Sequence, residues 1–140
     1  MFDITTQAVA LTAPLHLKDA AGNLLYTSDR KPVRIHLHGP ASPEYARIEE
    51  RQTQRALKRA QDNDGKATAP SSDDRRAQIA EDYAAVTVAF ENFNYPPAGD
   101  VMGAEAFRAT YADPTLGFIV NQITKFLADW GNFKPASGAN

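Results

Sequence analysis

Three histidines, an evenly spaced row of arginines and scattered carboxylates are the groups in this chain whose type and spacing could support chemistry. His36 and His38 lie two apart in the alternating run Val33-Arg34-Ile35-His36-Leu37-His38, so on a strand both point to one side. His16, in an opposing strand, can approach them, and three imidazoles on one face can bind a divalent metal. Arg34 shares that face, and an adjacent cation opposes a second one. The solvent face of a half-buried strand is therefore the better account, and no metal is expected. Arg47, Arg51, Arg55 and Arg59 recur every fourth residue with Lys58 beside them, a ridge able to track phosphates. Glu44, Glu49, Glu50 and Asp62 lie in the same segment, several at three or four residues from an arginine, so pairing within one helix is expected instead.

The remaining polar groups point away from catalysis. Asp73-Asp74 and Glu81-Asp82 fall at a helix start or on its polar face, without the apolar surroundings that separate two carboxyl pKa values into an acid and a base. Serines and threonines sit in turns with no nucleophile-elbow context. The glycines are scattered and form no phosphate loop. The chain has no cysteine, which excludes thiolate chemistry and disulfides. Neither an enzyme nor a cofactor is expected.

The elements that position these groups read as α+β: a small N-terminal antiparallel hairpin or sheet, then a mainly helical C-terminal half. Val9, Leu11, Leu15 and Leu17 occupy odd positions, and Ala21-Gly22-Asn23 is a turn signal. Pro14 within the first run marks an edge strand or a break. Ser42 and Pro43 open a charged helix as cap and first-turn residue, running to about Gln61 with a thin apolar face of Tyr45, Ile48, Ala56, Leu57 and Ala60. Residues 1–61 thus form a hairpin plus charged helix. Residues 62–74 contain no large apolar side chain and read as a flexible linker.

Residues 75–133 form an aromatic-rich helical half, and 134–140 a disordered tail; one domain overall is expected. Ile79, Tyr83, Val86 and Phe90 fall at i, i+4, i+7 and i+11, predicting a helix that ends near Asn92. A short helix spans Ala104 to Tyr111. Asp113-Pro114 opens a last one carrying Leu116, Ile119, Val120, Ile123, Leu127 and Trp130 on one side, with Gly131 as terminator. Ten of the 13 aromatic residues lie from Tyr83 onward, so the principal packing is expected there. Phe93, Tyr95, Phe118, Phe126 and Phe133 fall in turns or off the main stripes. Taken singly, each is expected to close the core; together they are more than one small helical layer needs, and a residual apolar patch rimmed by polar residues would be a partner site.

A net charge of −2 provides no global attraction to nucleic acid or acidic lipid. Met1-Phe2-Asp3-Ile4 lacks a secretory signal's basic start, and no apolar run reaches membrane-spanning length. A soluble cytoplasmic protein is expected.

Two segments carry a family likeness. The first is Leu15-His16-Leu17-Lys18-Asp19-Ala20-Ala21-Gly22 with Val33 to His38 and then Gly39-Pro40-Ala41-Ser42-Pro43-Glu44-Tyr45, a strand, turn, strand and helix opening on a Pro-x-Ser-x-Glu-Tyr phrase. The second is Val88-Ala89-Phe90-Glu91-Asn92-Phe93, then Tyr111-Ala112-Asp113-Pro114, then Ile119 to Phe133. Together, in this order, they resemble the tail assembly chaperones of long-tailed double-stranded DNA bacteriophages and prophages. Phe90 stands where similar proteins often carry tryptophan.

The resemblance implies a non-enzymatic scaffold in the host cytoplasm. Such a scaffold binds the tape measure protein during tail morphogenesis, keeps its apolar helices soluble and is replaced as tail tube protein polymerises. Self-association and a longer frameshifted form are further expectations of the resemblance. The partner-binding residues expected on the helical half are Phe93, Tyr95, Phe107, Phe118 and Phe126. Two other readings stand beside this one: a minor structural tail component that uses its hairpin to add a strand to a partner, and a nucleic-acid-binding module led by the Arg47/Arg51/Arg55/Arg59 ridge.

Overall fold

A computed structural model describes residues 1–63, 65 and 70–134. It is an α+β fold in which one three-stranded antiparallel sheet is covered by helices on its apolar face. Strands β1 (Thr12–His16), β2 (Arg34–His38) and β3 (Thr87–Glu91) lie in the order β1-β2-β3. Helices α1 (Pro43–Asp62), α2 (Ser72–Ala85), α3 (Ala104–Ala112) and α4 (Gly117–Ala128) supply the rest, with short 3-10 turns between them.

The alternation in the first forty residues sets the sheet's two faces. Ala13, Leu15, Leu17, Ile35 and Leu37 are buried on one side, while Arg34, His36 and His38 stay partly exposed on the other. Pro14 pairs with His36 on an edge strand, where a missing N–H leaves no gap in a neighbouring ladder. Between β1 and β2 the chain makes two turns, pinned by a closed set of backbone hydrogen bonds. Leu17 donates to Val33 (2.9 Å), Val33 to Leu25 (3.1 Å) and Leu25 to Leu17 (2.9 Å). In the first turn the Asp19 carboxylate accepts from the backbone N–H of Ala21 and of Asn23, both at 2.9 Å.

The third strand departs from the periodicity. The stripe Ile79, Tyr83, Val86, Phe90 predicts helix to Asn92, yet α2 ends at Ala85 and residues 87–91 pair with β2. Val86-Thr87-Val88 is a β-branched run, and without it β2 would expose its second edge. The spacing of Phe90 matches a helical repeat by coincidence, and strand pairing turns it to the core side opposite Ile35. The register slips between His36 and Leu37, leaving Val88 as an extra residue at a bulge. The aromatic-rich half is thus helical around an inserted strand.

Helix α1 begins as read: Ser42 Oγ accepts from the Tyr45 N–H (3.2 Å), with Pro43 in the first turn. Its expected apolar face is mostly not used, since Ile48 alone is buried and Leu57 is exposed. Asp62 closes α1 and Ser72 opens α2, so the 62–74 segment begins and ends in helices. Its residues 64 and 66–69 lie outside the described residues, as do 135–140 of the tail. On α2 the buried apolar positions are Ala80 and Ala84, small side chains that let α3 approach closely.

The C-terminal helix also ends earlier than its stripe suggests. Asp113 caps a 3-10 turn over Pro114–Leu116, α4 stops at Ala128, and Trp130 lies exposed in a final 3-10 turn, Trp130–Phe133. That turn folds Phe133 under the sheet, where the ring is fully buried. The Phe133 carbonyl accepts from Ala10 (2.6 Å), and Gly39 donates to the Leu11 carbonyl (2.7 Å). A Cβ at position 39 would fall 2.5 Å from the Phe133 ring, so only glycine permits this approach. The core is therefore a joint product of both ends of the chain.

Candidate functional site: an uncharged aromatic groove beside β3

Beyond β3 the chain builds a cluster of rings. Phe93 stacks on Phe90 with centroids 4.3 Å apart and planes at 24°, and Phe107 of α3 meets Phe90 at 4.7 Å. Such pairs are favourable beyond the area they bury. The Tyr95 hydroxyl donates to Asp113 Oδ2 (2.7 Å). That bond to a carboxylate raises the Tyr95 phenol above its ordinary value, while Thr115 and Tyr95 together lower the Asp113 carboxyl. These contacts fix the inner wall of a groove of about 360 Å³, within the size range of small binding sites.

The outer wall is a short loop. Gly99 and Gly103 have φ of 65° and 70°, the left-handed region that glycine enters without a Cβ penalty. Between them Val101 and Met102 are held outward, with Met102 86% exposed and Val101 46%. Val88, at the bulge of β3, is also 46% exposed. No charged side chain lines the groove among the described residues. An uncharged concavity rimmed by exposed methionine and valine can bury apolar surface of a partner, and its one phenol, Tyr95, is engaged by Asp113.

The five expected partner-binding residues separate in space. Phe93, Tyr95 and Phe107 come together in this groove. Phe118 is half-buried against the core instead. Phe126 packs edge-on against Phe133 at 5.2 Å and lines a different cleft with Lys18 and Lys125. Val88, Val101 and Met102 are groove residues that periodicity does not single out. The one signal in the sequence for Val101 and Met102 is the pair of glycines bracketing Asp100-Val101-Met102.

The candidate chemical groups have other partners. Arg34 holds Glu91 through two parallel hydrogen bonds (2.9 and 2.8 Å), and His36 Nε2 lies 2.6 Å from Glu91 Oε1. His16 Nε2 contacts the Leu25 carbonyl at 2.8 Å, and His38 Nδ1 faces Glu44 at 3.5 Å. The three imidazoles thus face three different groups, and no set of three potential metal ligands converges among the described residues.

Arg34, and then His36, depress the Glu91 carboxyl from 4.5 to about 2. A carboxyl lowered on folding stabilises the native state above its unfolded pKa, and that contribution disappears as pH falls through the folded value. Glu91→Gln is therefore expected to lower the melting temperature at pH 6–7. The gap to wild type should shrink between pH 4.5 and about 2 in a series of thermal melts.

The arginine ridge is paired across helices as well as within one. Arg47 reaches Glu44 at 3.9 Å, in the same helix. Arg51 and Arg55 reach over to α2, where Arg55 lies 2.9 Å from Asp82 and 3.4 Å from Glu81, and Arg51 lies 3.2 and 3.5 Å from the same two residues. Asp82 is buried and also accepts from Gln52 (3.3 Å). The expectation of intrahelical pairing holds for Arg47 and is corrected for Arg51 and Arg55: a helix with so few apolar residues docks by charge.

No known protein family, curated protein or solved structure matches the chain.

Proposed function

We propose that this chain is a bacteriophage tail assembly chaperone, acting without catalysis in the host cytoplasm, and that the groove beside β3 holds an apolar segment of the tape measure protein until tail tube protein replaces it. The observation that carries the reading is the uncharged groove with Met102 at its lip. Methionine's flexible, polarisable side chain suits surfaces that accept many apolar sequences, and an amphipathic helix lays its apolar face into such a groove. Many weak contacts along an extended client add through effective concentration, which suits a chaperone whose copies associate side by side. The likeness of the two sequence segments to this family supplies the client's identity.

The nucleic-acid reading is the weaker one, because Arg51 and Arg55 already face Glu81 and Asp82. No observation favours retention in the mature tail.

The test is a co-expression pull-down with a tape measure fragment. Met102→Asp combined with Val101→Asp changes two exposed side chains, so the circular dichroism spectrum should be unchanged. Capture of the fragment is expected to fall at least ~10-fold, since a charge forced against apolar surface costs several times RT. Wild-type capture by this double variant would refute the groove assignment.

A further inference from the structure

A second cavity, about 340 Å³, opens between the first half of α2, the turn after α3 and the start of α4. Its apolar lining is made by Ile79, Tyr111, Pro114 and Val120. Tyr111 is buried, and its hydroxyl is occupied by Thr87 Oγ1 at 2.7 Å, so the ring is what it contributes here. Arg75, Arg76 and Asn121 stand among the lining residues. Arg76 faces Asp73 at 3.4 Å, whereas the Arg75 guanidinium has no hydrogen-bond or ion-pair partner among the described residues. One lining carboxylate, Asp113, is already engaged: Oδ1 accepts from the Thr115 N–H (2.9 Å) and hydroxyl (2.7 Å), and Oδ2 from Tyr95 (2.7 Å).

An exposed arginine without a partner is ordinary on a protein surface. What distinguishes Arg75 is the apolar recess one helical turn further along the same helix. Arg75 and Ile79 are separated by four residues, about 6 Å along the axis. An apolar pocket with a few convergent polar groups is the usual form of a small-ligand site.

We infer that this cavity receives the C-terminal carboxylate of a peptide whose last side chain is apolar. Arg75 takes the carboxylate in a two-bond pair. The terminal side chain lies along Ile79 and Val120 towards the Tyr111 ring, and the Asn121 amide is placed to meet the last peptide group. The site is separate from the groove beside β3 and stands whether or not that groove holds a tape measure segment.

Fluorescence polarisation on the full chain tests it, using a labelled heptapeptide ending in Ala-Leu with a free carboxylate, the same peptide amidated, and the acid form ending in Gly. The Leu acid is expected to bind at least ~10-fold more tightly than either companion, consistent with the loss of one charge-assisted pair or one buried side chain. Arg75→Ala should abolish the preference for acid over amide while leaving the melting temperature unchanged, because Arg75 is exposed. Equal binding of acid and amide, an unaltered preference in Arg75→Ala, or no binding of the acid at 1 mM (roughly the weak limit for specific recognition) each overturns the proposal. Competition by inorganic phosphate as effective as that by unlabelled Leu acid does so too, since it would identify a bare anion site.

Discussion

Asp82→Ala is expected to destabilise the protein by about 3 kcal/mol, the lower end of the range for breaking a buried ion pair from one side. Asp82 has 3% of its side chain exposed and holds Arg55, itself 19% exposed, through two bonds of 3.0 and 2.9 Å. Removing the carboxylate leaves that guanidinium in a low-dielectric setting with Glu81 alone at 3.4 Å. Arg51 is less affected, being 36% exposed and able to turn to water. For a domain of this size the loss corresponds to a melting point about 10 °C lower. A companion variant separates the pair's geometry from its charge. Asp82→Leu together with Arg55→Met should regain most of the loss, because an apolar replacement of a buried pair is often neutral. A melting point for Asp82→Ala within 2 °C of wild type (under about 1 kcal/mol) would mean that α1 is held by something other than this cluster. Since Ile48 is the one buried apolar residue of α1, few alternatives remain.

Phe133→Ala is expected to cost about 3–5 kcal/mol, the range for deleting a buried aromatic ring. The ring is fully buried, meets Phe126 at 5.2 Å and lies directly beneath Gly39. The void left behind cannot close easily, because its walls are a glycine backbone and the sheet. Urea unfolding monitored by fluorescence measures the loss as a lower midpoint with an unchanged slope. The same variant should speed hydrogen exchange at Ala10, whose N–H donates to the Phe133 carbonyl (2.6 Å), since the final turn loses its anchor. Unchanged exchange at Ala10 would show that the segment leading into β1 is held independently of the C-terminal turn.

The two variants act at places that differ in how readily they are read from sequence. Ser42-Pro43, the Val33-to-His38 alternation and the Asp113-Pro114 opening each depend on neighbours within a few residues. Cap, pleat and fixed proline φ are local physics; the first two elements form where expected, while Asp113-Pro114 opens a 3-10 turn and α4 follows from Gly117. Asp82 and Phe133 depend on residues far away in the chain. The Asp82 carboxylate looks like an ordinary polar-face group until α1 lies across it, and Phe133 looks like a surplus aromatic until its turn docks beneath Gly39.

The groove divides in the same way. Phe93, Tyr95 and Phe107 stand out in the sequence as aromatic residues near turns and a short helix. Phe118 and Phe126 stand out for the same reason, but helical phase puts them elsewhere: Phe118 against the core and Phe126 beside Phe133. Only β3 explains the difference. By taking Phe90 out of a helix and into the sheet, it provides the ring on which Phe93 stacks and against which Phe107 rests.

What the amino-acid order determined by itself was the class of fold, the starts of α1 and α3, the two faces of its first strands and the concentration of aromatic residues after position 80. These follow from backbone preferences and short-range periodicity, which require no knowledge of distant partners. Tertiary structure alone decided that residues 87–91 join the sheet, that Arg51 and Arg55 are committed to α2, and which aromatic rings meet. Strand pairing, ion-pair burial and ring stacking reward contacts between residues far apart in the chain. Their free energy is set by what the fold brings alongside, and no local pattern contains that information.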